Sequence, residues 1–385
     1  MKKLILLIII LFIISMIPIK VYASDNFNDI DSSVNEIIDG IGEDDFKFLV
    51  DFLNNFFGDK KTLKERLVLF ITGEISLEFD TFVLYLKSQL FGVVQSVLKL
   101  LCYVIFIAVS CSVLNIIISK NNDNNAKSII YFICYFIVVA LISKLVFTIF
   151  DNAKDKILNI KNTLEICFPM LITLSEFSGG FGSLLFKPIV SVCSFFVSNI
   201  STSTFLPILN LSLICVIIGN ISSTIKLNSL YKTLLSLVKW ILGVLTLVFS
   251  IVLAAQGIVN MQYNGLSFKI LKYATGSLIP IVGSFISGGL DVLLSSAILV
   301  KNSFGLILVV YLLFSTLSYG GVIIIVSFIL KFVISLCESL LDSKFVQLIN
   351  GVCEIFNCLT AVIFICGFVY ILVCFSIINS TALII

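Results

Sequence analysis

Long apolar stretches separated by short polar linkers run along most of the chain from residue 92 onward. The stretches at 92–118 and 128–150 flank the polar loop 119–127, and each reaches the roughly 20 residues that a helix needs to cross a bilayer. Further apolar stretches lie at 188–221, 234–255, 304–337 and 353–378. The pattern predicts an all-α, polytopic membrane domain over 92–385 with about six to eight transmembrane helices.

The N-terminal part of the chain has a different pattern. Residues 1–23 place Lys2 and Lys3 before an apolar run from Leu4 to Ile14 and a small-residue site that ends at Ala23, which is typical of a secretory signal peptide, with an uncleaved anchor as the alternative. Residues 24–88 then carry 14 acidic and 6 basic side chains. We therefore predict a small, acidic helical head over 24–91 that lies outside the cytoplasm.

The predicted head has one apolar helical face. Phe46, Leu49, Leu53 and Phe56 recur at helical spacing, so they lie on the same side of a helix. They form a candidate face for a partner protein. The alternative is that the same face packs against other helices or lies on the membrane surface.

Two later segments combine a proline with a pair of glycines inside an apolar stretch. The break residues are Pro169 with Gly179 and Gly180, and Pro280 with Gly288 and Gly289. Such positions predict broken or re-entrant helices, whose freed backbone groups need cover from protein or water. Paired broken segments are also typical of transporters built from two internal repeats, so a repeat is a further possibility.

Charged residues lie beside both predicted breaks. They are Glu165, Glu176, Lys187, Asp291 and Lys301. Because ionisable groups are costly inside a membrane, these five are candidates for lining a polar conduit. For Asp291 and Lys301 the alternative is purely structural, since an acid at the start of a helix and a base at its end both complement the helix dipole.

The composition argues against several classes of chemistry. Apolar residues make up 59% of the chain and histidine is absent, which removes the commonest general base and metal ligand. The 11 cysteines include no C-x-x-C pair, and no phosphate-binding loop is found. We therefore expect no enzyme, no cofactor, no metal and no nucleic-acid partner. Any transport work would draw its energy from an ion gradient or from another subunit.

Three ordered segments resemble a known family: "PMLITLSEFSGGFGS" at 169–183, "YATGSLIPIVG" at 273–283 and "SAILVKNSFG" at 296–305. Together they resemble the stage III sporulation protein AE family, and the resemblance extends along nearly the whole chain. The chain departs from that pattern in having Arg66 as its single arginine. It also has Gly320 and Gly321 where a proline-containing break is expected.

The resemblance implies a role in endospore-forming bacteria, in the mother-cell membrane that surrounds the forespore. There the family is implied to belong to an assembly similar to specialised secretion systems, with a separate ATPase and ring-forming subunits, which supports late gene expression in the forespore. The implied partners are thus the lipid bilayer and the other subunits of that assembly. Two other functions stay open from the sequence: a stand-alone secondary transporter of a small solute, and a membrane scaffold that conducts nothing.

Overall fold

The computed structural model describes residues 46–72, 124–177, 199–221, 227–251, 282–337 and 343–378, together with Val197 and scattered positions between 84 and 113. Side chains at the ends of some helices, including 282–294, are not described. The predicted signal peptide lies outside the described residues. So do four of the candidate residues, Gly179, Gly180, Lys187 and Pro280.

The described part of the chain is helical and contains no strand. Its helices are α1 (Lys47–Phe57), α2 (Leu63–Thr72), α3 (Asn124–Phe177), α4 (Leu206–Ile221), α5 (Asn228–Ile251), α6 (Val282–Cys337) and α7 (Ser343–Ile378). A π-helical turn, Ser201–Phe205, leads into α4. This turn lies where the sequence "STSTFLP" interrupts the apolar stretch.

Two of the helices are far longer than a bilayer is thick. α3 has 54 residues and α6 has 56, so each extends about 80 Å at 1.5 Å per residue. The hydrocarbon core of a membrane is only about 30 Å thick. Each helix therefore has one part within the membrane and a long part outside it.

α6 continues through Gly288 and Gly289, so the predicted break at this pair is absent from the structure. The physical reason is that an interior glycine costs a helix only about 1 kcal/mol relative to alanine, which a long helix with tertiary contacts can offset. α3 likewise continues through Pro169, which lies on an exposed face where water can reach the carbonyl that loses its helical donor. The internal repeat stays a prediction.

α7 is the central helix of the bundle. α6 runs antiparallel beside it, and α3 and α4 pack on its other sides. Small residues allow close approach: a Cβ on Gly320 would lie 2.8 Å from the ring of Phe364, and one on Gly351 would lie 2.6 Å from Val216. Such contacts between helices are typical of membrane bundles, where dispersion rather than the hydrophobic effect drives association.

Outward-facing apolar side chains indicate which zone of the bundle fits a bilayer. Large apolar residues face outward between Ile129 and Phe147 on α3, Leu211 and Ile218 on α4, Leu230 and Ile251 on α5, and Ile324 and Phe332 on α6. From Asp151 onward, by contrast, the exposed residues of α3 are mostly charged or polar. Residues 129–151 measure about 33 Å along the helix, which matches the hydrocarbon core. We refer to this apolar zone as the membrane belt.

Tyr319 marks one boundary of the belt. Its hydroxyl donates to the backbone oxygen of Ile149 at 2.8 Å, which places the middle of α6 beside the point where α3 becomes polar. Tyrosine is enriched at such membrane–water boundaries because it has an apolar ring and a polar tip. Beyond this level the bundle continues as a membrane-distal end, formed by α1, α2, the second half of α3, the first half of α6 and the end of α7.

Five helices of the described part are long and apolar enough to cross a membrane: α3, α4 with its π turn, α5, α6 and α7. The predicted all-α fold and multi-pass membrane architecture are confirmed. The prediction of six to eight crossings also counted 92–118, of which only scattered positions are described.

Candidate functional site

The membrane-distal end is held together by the apolar face of α1. Phe46, Leu49, Leu53 and Phe56 are all buried within the chain. The ring of Phe46 meets Phe304 of α6 with centroids 5.4 Å apart. The face predicted as a partner site is thus occupied by the chain's own α6, which favours the alternative of internal packing.

Two more aromatic contacts continue this interface along α6. Phe52 packs edge-on against Tyr311 with ring centroids 5.0 Å apart, and Phe56 lies 4.6 Å from Phe314. Aromatic pairs of this kind contribute about 0.5–1.5 kcal/mol each beyond the area that they bury. The described part of the predicted head is therefore fixed to the membrane domain.

The turn between α1 and α2 is held by a buried arginine. Gly58 adopts the left-handed conformation, with φ of 75°, and its N–H donates to the Asn54 carbonyl to end α1. Arg66 of α2 is 2% exposed, forms a salt bridge with Asp59, and lies 4.6 Å from the centre of the Phe57 ring. The single arginine of the chain thus has a structural place in the head.

The charges around Asp59 perturb its titration. Burial raises the pKa of Asp59, but the hydrogen bonds and positive charges of Arg66 and Lys61 together outweigh that effect. The pKa of Asp59 therefore lies below its ordinary value, and the salt bridge stays formed at neutral pH. Because the Asp59 side chain is 42% exposed, solvent screens much of this interaction.

Lys301 is the most deeply buried of the predicted site residues whose side chain is described. Its side chain is 0% exposed, and its ammonium group donates to the backbone oxygens of Ile378 at 3.0 Å and Ile377 at 3.3 Å. These oxygens lie at the C-terminal end of α7, where the helix dipole favours a positive charge. Lys301 thus joins the first half of α6 to the end of α7.

The other predicted conduit residues are not brought together by the described structure. Glu165 is exposed on α3 and pairs with Lys161 at 3.5 Å, one helical turn away. Asp291 and Glu176 lie on helices α6 and α3, but only their backbones are described. The structure therefore gives Glu165 and Lys301 separate partners and separate surroundings.

A polar stripe on α7 was missed by the sequence reasoning. Gln347, Asn350, Glu354 and Asn357 follow one another at spacings of three or four residues on the central helix. The first three are exposed and Asn357 is half-buried, whereas most of α7 is buried. The sequence does carry a sign of the stripe, because these polar residues recur at helical spacing. The first two lie just before the apolar stretch 353–378, and the last two lie within it.

Side chains from two neighbouring helices meet the polar stripe. Tyr231 of α5 hydrogen-bonds the Glu354 carboxylate, and the hydroxyl of Ser327 on α6 donates to Asn357 Oδ1 at 3.4 Å. Lys331, one turn beyond Ser327 on α6, is exposed. The thiol of Cys353, the residue before Glu354, donates to the Ser327 backbone oxygen at 3.6 Å, so this turn of α7 lies against the turn of α6 that precedes Lys331. An acid and a base are thus displayed near each other within the membrane belt.

The described residues contain no cluster of three or more His, Cys, Asp or Glu side chains that could hold a metal ion. The described cysteines other than Cys102 are buried and unbridged. The polar stripe and its neighbours on α5 and α6 present hydrogen-bonding and charged side chains.

Two comparisons with known proteins point to the same family. The sequence profile of the stage III sporulation protein AE family matches residues 62–381. Stage III sporulation protein AE of Bacillus subtilis (strain 168) is 24% identical over 249 residues, an alignment that covers 63% of this chain and 61% of that protein. No solved structure matches. The chain belongs to the stage III sporulation protein AE family.

Proposed function

We propose that this chain is a membrane subunit of the transport apparatus that connects the mother cell with the forespore and supports late gene expression there. Membership of a family of stage III sporulation proteins supports a role in sporulation. The helices of the membrane belt support a membrane location. The apparatus and its two compartments come from the family resemblance and are part of the proposal.

The observation that carries the proposal is the packing of the centre of the bundle. α7 is surrounded by apolar side chains along most of its length, and Lys301 and Arg66 are the only buried side chains among the described Lys, Arg, Asp and Glu residues. Both lie at the membrane-distal end. A single copy thus presents a packed apolar core within the described part of the membrane belt, and a conduit would need further subunits.

This packing favours a subunit over a stand-alone transporter. Secondary transporters of small solutes place polar and ionisable groups at the centre of the bundle near the bilayer midplane. In this chain the ionisable residues of the described belt, such as Lys331 and Glu354, lie on its outer surface instead. Groups on the outside of a bundle are suited to contacts with other membrane helices.

We further propose that the membrane-distal end faces away from the cytoplasm, between the mother-cell membrane and the forespore. The acidic composition of 24–88 and the signal-peptide pattern before it support this orientation. Residues 151–162 of α3 lie at the same end of the bundle as α1, because Thr163 of α3 and Phe52 of α1 both contact Tyr311 of α6. A cytoplasmic ATPase would then act on one side of the membrane, and ring-forming subunits would act on the other side, where the membrane-distal end lies.

Purification of the full chain from sporulating cells tests the proposal. A tag is fused to the C-terminus, the membranes are solubilised mildly, and the co-purifying proteins are identified. We expect an ATPase and ring-forming membrane proteins to co-purify in proportion to the chain. The matched control is the same purification from vegetative cells that express the chain artificially.

Two results would favour the other functions. A chain that purifies alone and moves a small solute after reconstitution into vesicles would be a secondary transporter. A chain that brings down its partners, but whose substitution at every candidate conduit residue leaves sporulation normal, would be a scaffold.

A further inference from the structure

The polar stripe of α7 lies in the part of the bundle that the bilayer surrounds. Glu354 is about 16 Å along α7 from Ser343, because eleven residues separate them at 1.5 Å each. On α6, Lys331 has exposed apolar neighbours in Phe328 and Phe332, which are 67% and 57% exposed. Glu354 and Lys331 therefore lie at the level of residues that face lipid.

Ionisable side chains at this depth are costly unless they are paired. In the described part of the chain, no salt bridge joins Glu354 or Lys331 to another residue. Tyr231 hydrogen-bonds Glu354 but carries no positive charge to pair with it. Gln347 and Asn350 are exposed on the same face of α7 and carry amide groups suited to bonding another helix.

The arrangement of the two charges is complementary to itself. Glu354 and Lys331 lie on neighbouring antiparallel helices. Cys353, which precedes Glu354, donates to the backbone oxygen of Ser327 at 3.6 Å, and Lys331 lies one helical turn beyond Ser327, so the two charges belong to one patch of surface. A two-fold axis beside this patch would bring the acid of each copy opposite the base of the other. The two amides would meet their own counterparts, and the phenylalanines of α6 would add apolar contact area.

We propose that the polar stripe is the face through which two copies of this chain associate in the membrane, with Glu354 of each copy paired with Lys331 of the other. The association depends on charges within the membrane, and it does not rest on the proposed transport function. It compensates both charges without requiring any third protein.

Mixed charge-reversal variants test this pairing. Two full-length copies with different tags are co-expressed, solubilised mildly, and captured through one tag while the other is quantified. Glu354→Lys on both copies, or Lys331→Glu on both copies, sets like charges against each other and should reduce recovery about tenfold, equivalent to about 1.4 kcal/mol. Glu354→Lys on one copy with Lys331→Glu on the other restores both pairs, and recovery should return to within about twofold of the native level.

Two controls separate this result from misfolding. Lys144→Glu reverses an exposed lysine in the same belt on α3, a helix that contributes no residue to the stripe, and should leave recovery unchanged. Glu354→Gln is milder than the reversal and tests the same contact without setting like charges together. It should weaken association, and a partner copy carrying Lys331→Glu should not restore it.

Three results would overturn the proposal. One is native recovery from Glu354→Lys on both copies. A second is failure of the mixed pair to recover although each variant inserts and purifies as a folded protein, which would indicate a different partner. The third is an equal loss from Lys144→Glu, which would show that any charge reversal in the belt disrupts the assay.

Discussion

Replacing Lys301 tests whether its buried ammonium group is a structural link or part of a conduit. The side chain is 0% exposed, and both of its hydrogen bonds go to backbone oxygens at the end of α7. Lys301→Met keeps most of the apolar stem and removes the charge. Lys301→Ala removes the stem as well, so the pair separates charge from packing.

The expected cost follows from these contacts. Losing a charged donor to buried oxygens costs about 1–3 kcal/mol, and removing a buried charge offsets part of that loss. We therefore expect Lys301→Met to destabilise the folded protein by about 1–2 kcal/mol. Lys301→Ala also loses about three buried methylene groups at about 0.8 kcal/mol each, so its total should be about 3–5 kcal/mol.

Thermal unfolding in detergent, followed with a thiol-reactive fluorophore, measures this difference. The buried cysteines of the bundle, including Cys167 and Cys374, react only after unfolding. The matched control is Lys154→Met, at an exposed lysine on α3, which should leave the unfolding temperature unchanged. If Lys301→Met and Lys301→Ala both unfold at the native temperature, the link between α6 and α7 is not a stabilising contact. If Lys301→Met is fully stable but blocks sporulation, the conduit role is favoured instead.

Three further predictions follow from other contacts. Gly320→Leu should destabilise the bundle by about 1–3 kcal/mol, because its Cβ meets the ring of Phe364, whereas Gly321→Leu, with open space around its Cβ, should be nearly silent in the same unfolding assay. Asp59→Asn should loosen α1 and α2 at neutral pH, as measured by limited proteolysis. The pKa of Asp59 is lowered in the folded protein, so its stabilisation is fully present above the unfolded pKa of about 3.9 and is lost as the pH falls through the folded pKa. The native and variant proteins should therefore become equally sensitive to proteolysis in acid. A constant difference down to low pH would contradict the salt bridge. Cysteines introduced at Lys61 and Lys156 should react with an impermeant reagent from the same side of the membrane, and a cysteine in 119–127 from the opposite side; labelling of Lys61 and Lys156 positions from different sides would refute the placement of the membrane belt.

The membrane architecture could be predicted because apolar length decides it. The stretches at 128–150 and 353–378 each fall within a helix of the structure, and α5 contains the described part, 234–251, of the stretch at 234–255. The apolar face of α1 was also visible from its spacing, but the spacing does not say what the face packs against. Its partner, α6, lies more than 200 residues later in the chain, and only the tertiary structure brings them together.

The prediction of a helix break at the glycine pair was wrong because helix propensity does not include the tertiary contacts that stabilise a long helix. Gly288 and Gly289 weaken a helix, yet α6 continues through them. The polar stripe was missed for a related reason. Glu354 lies within an otherwise apolar segment, and its exposure depends on how α5 and α6 pack beside α7, which the sequence of one helix does not contain.

A fluorescent reporter of late gene expression in the forespore tests the proposed role most directly. The chain is depleted after the forespore has been engulfed, and reporter output is followed in single cells alongside a reporter in the mother cell. We predict that forespore expression falls while mother-cell expression continues, and that the native chain restores it. Unchanged forespore expression after complete depletion would contradict a role for this chain in supplying the forespore.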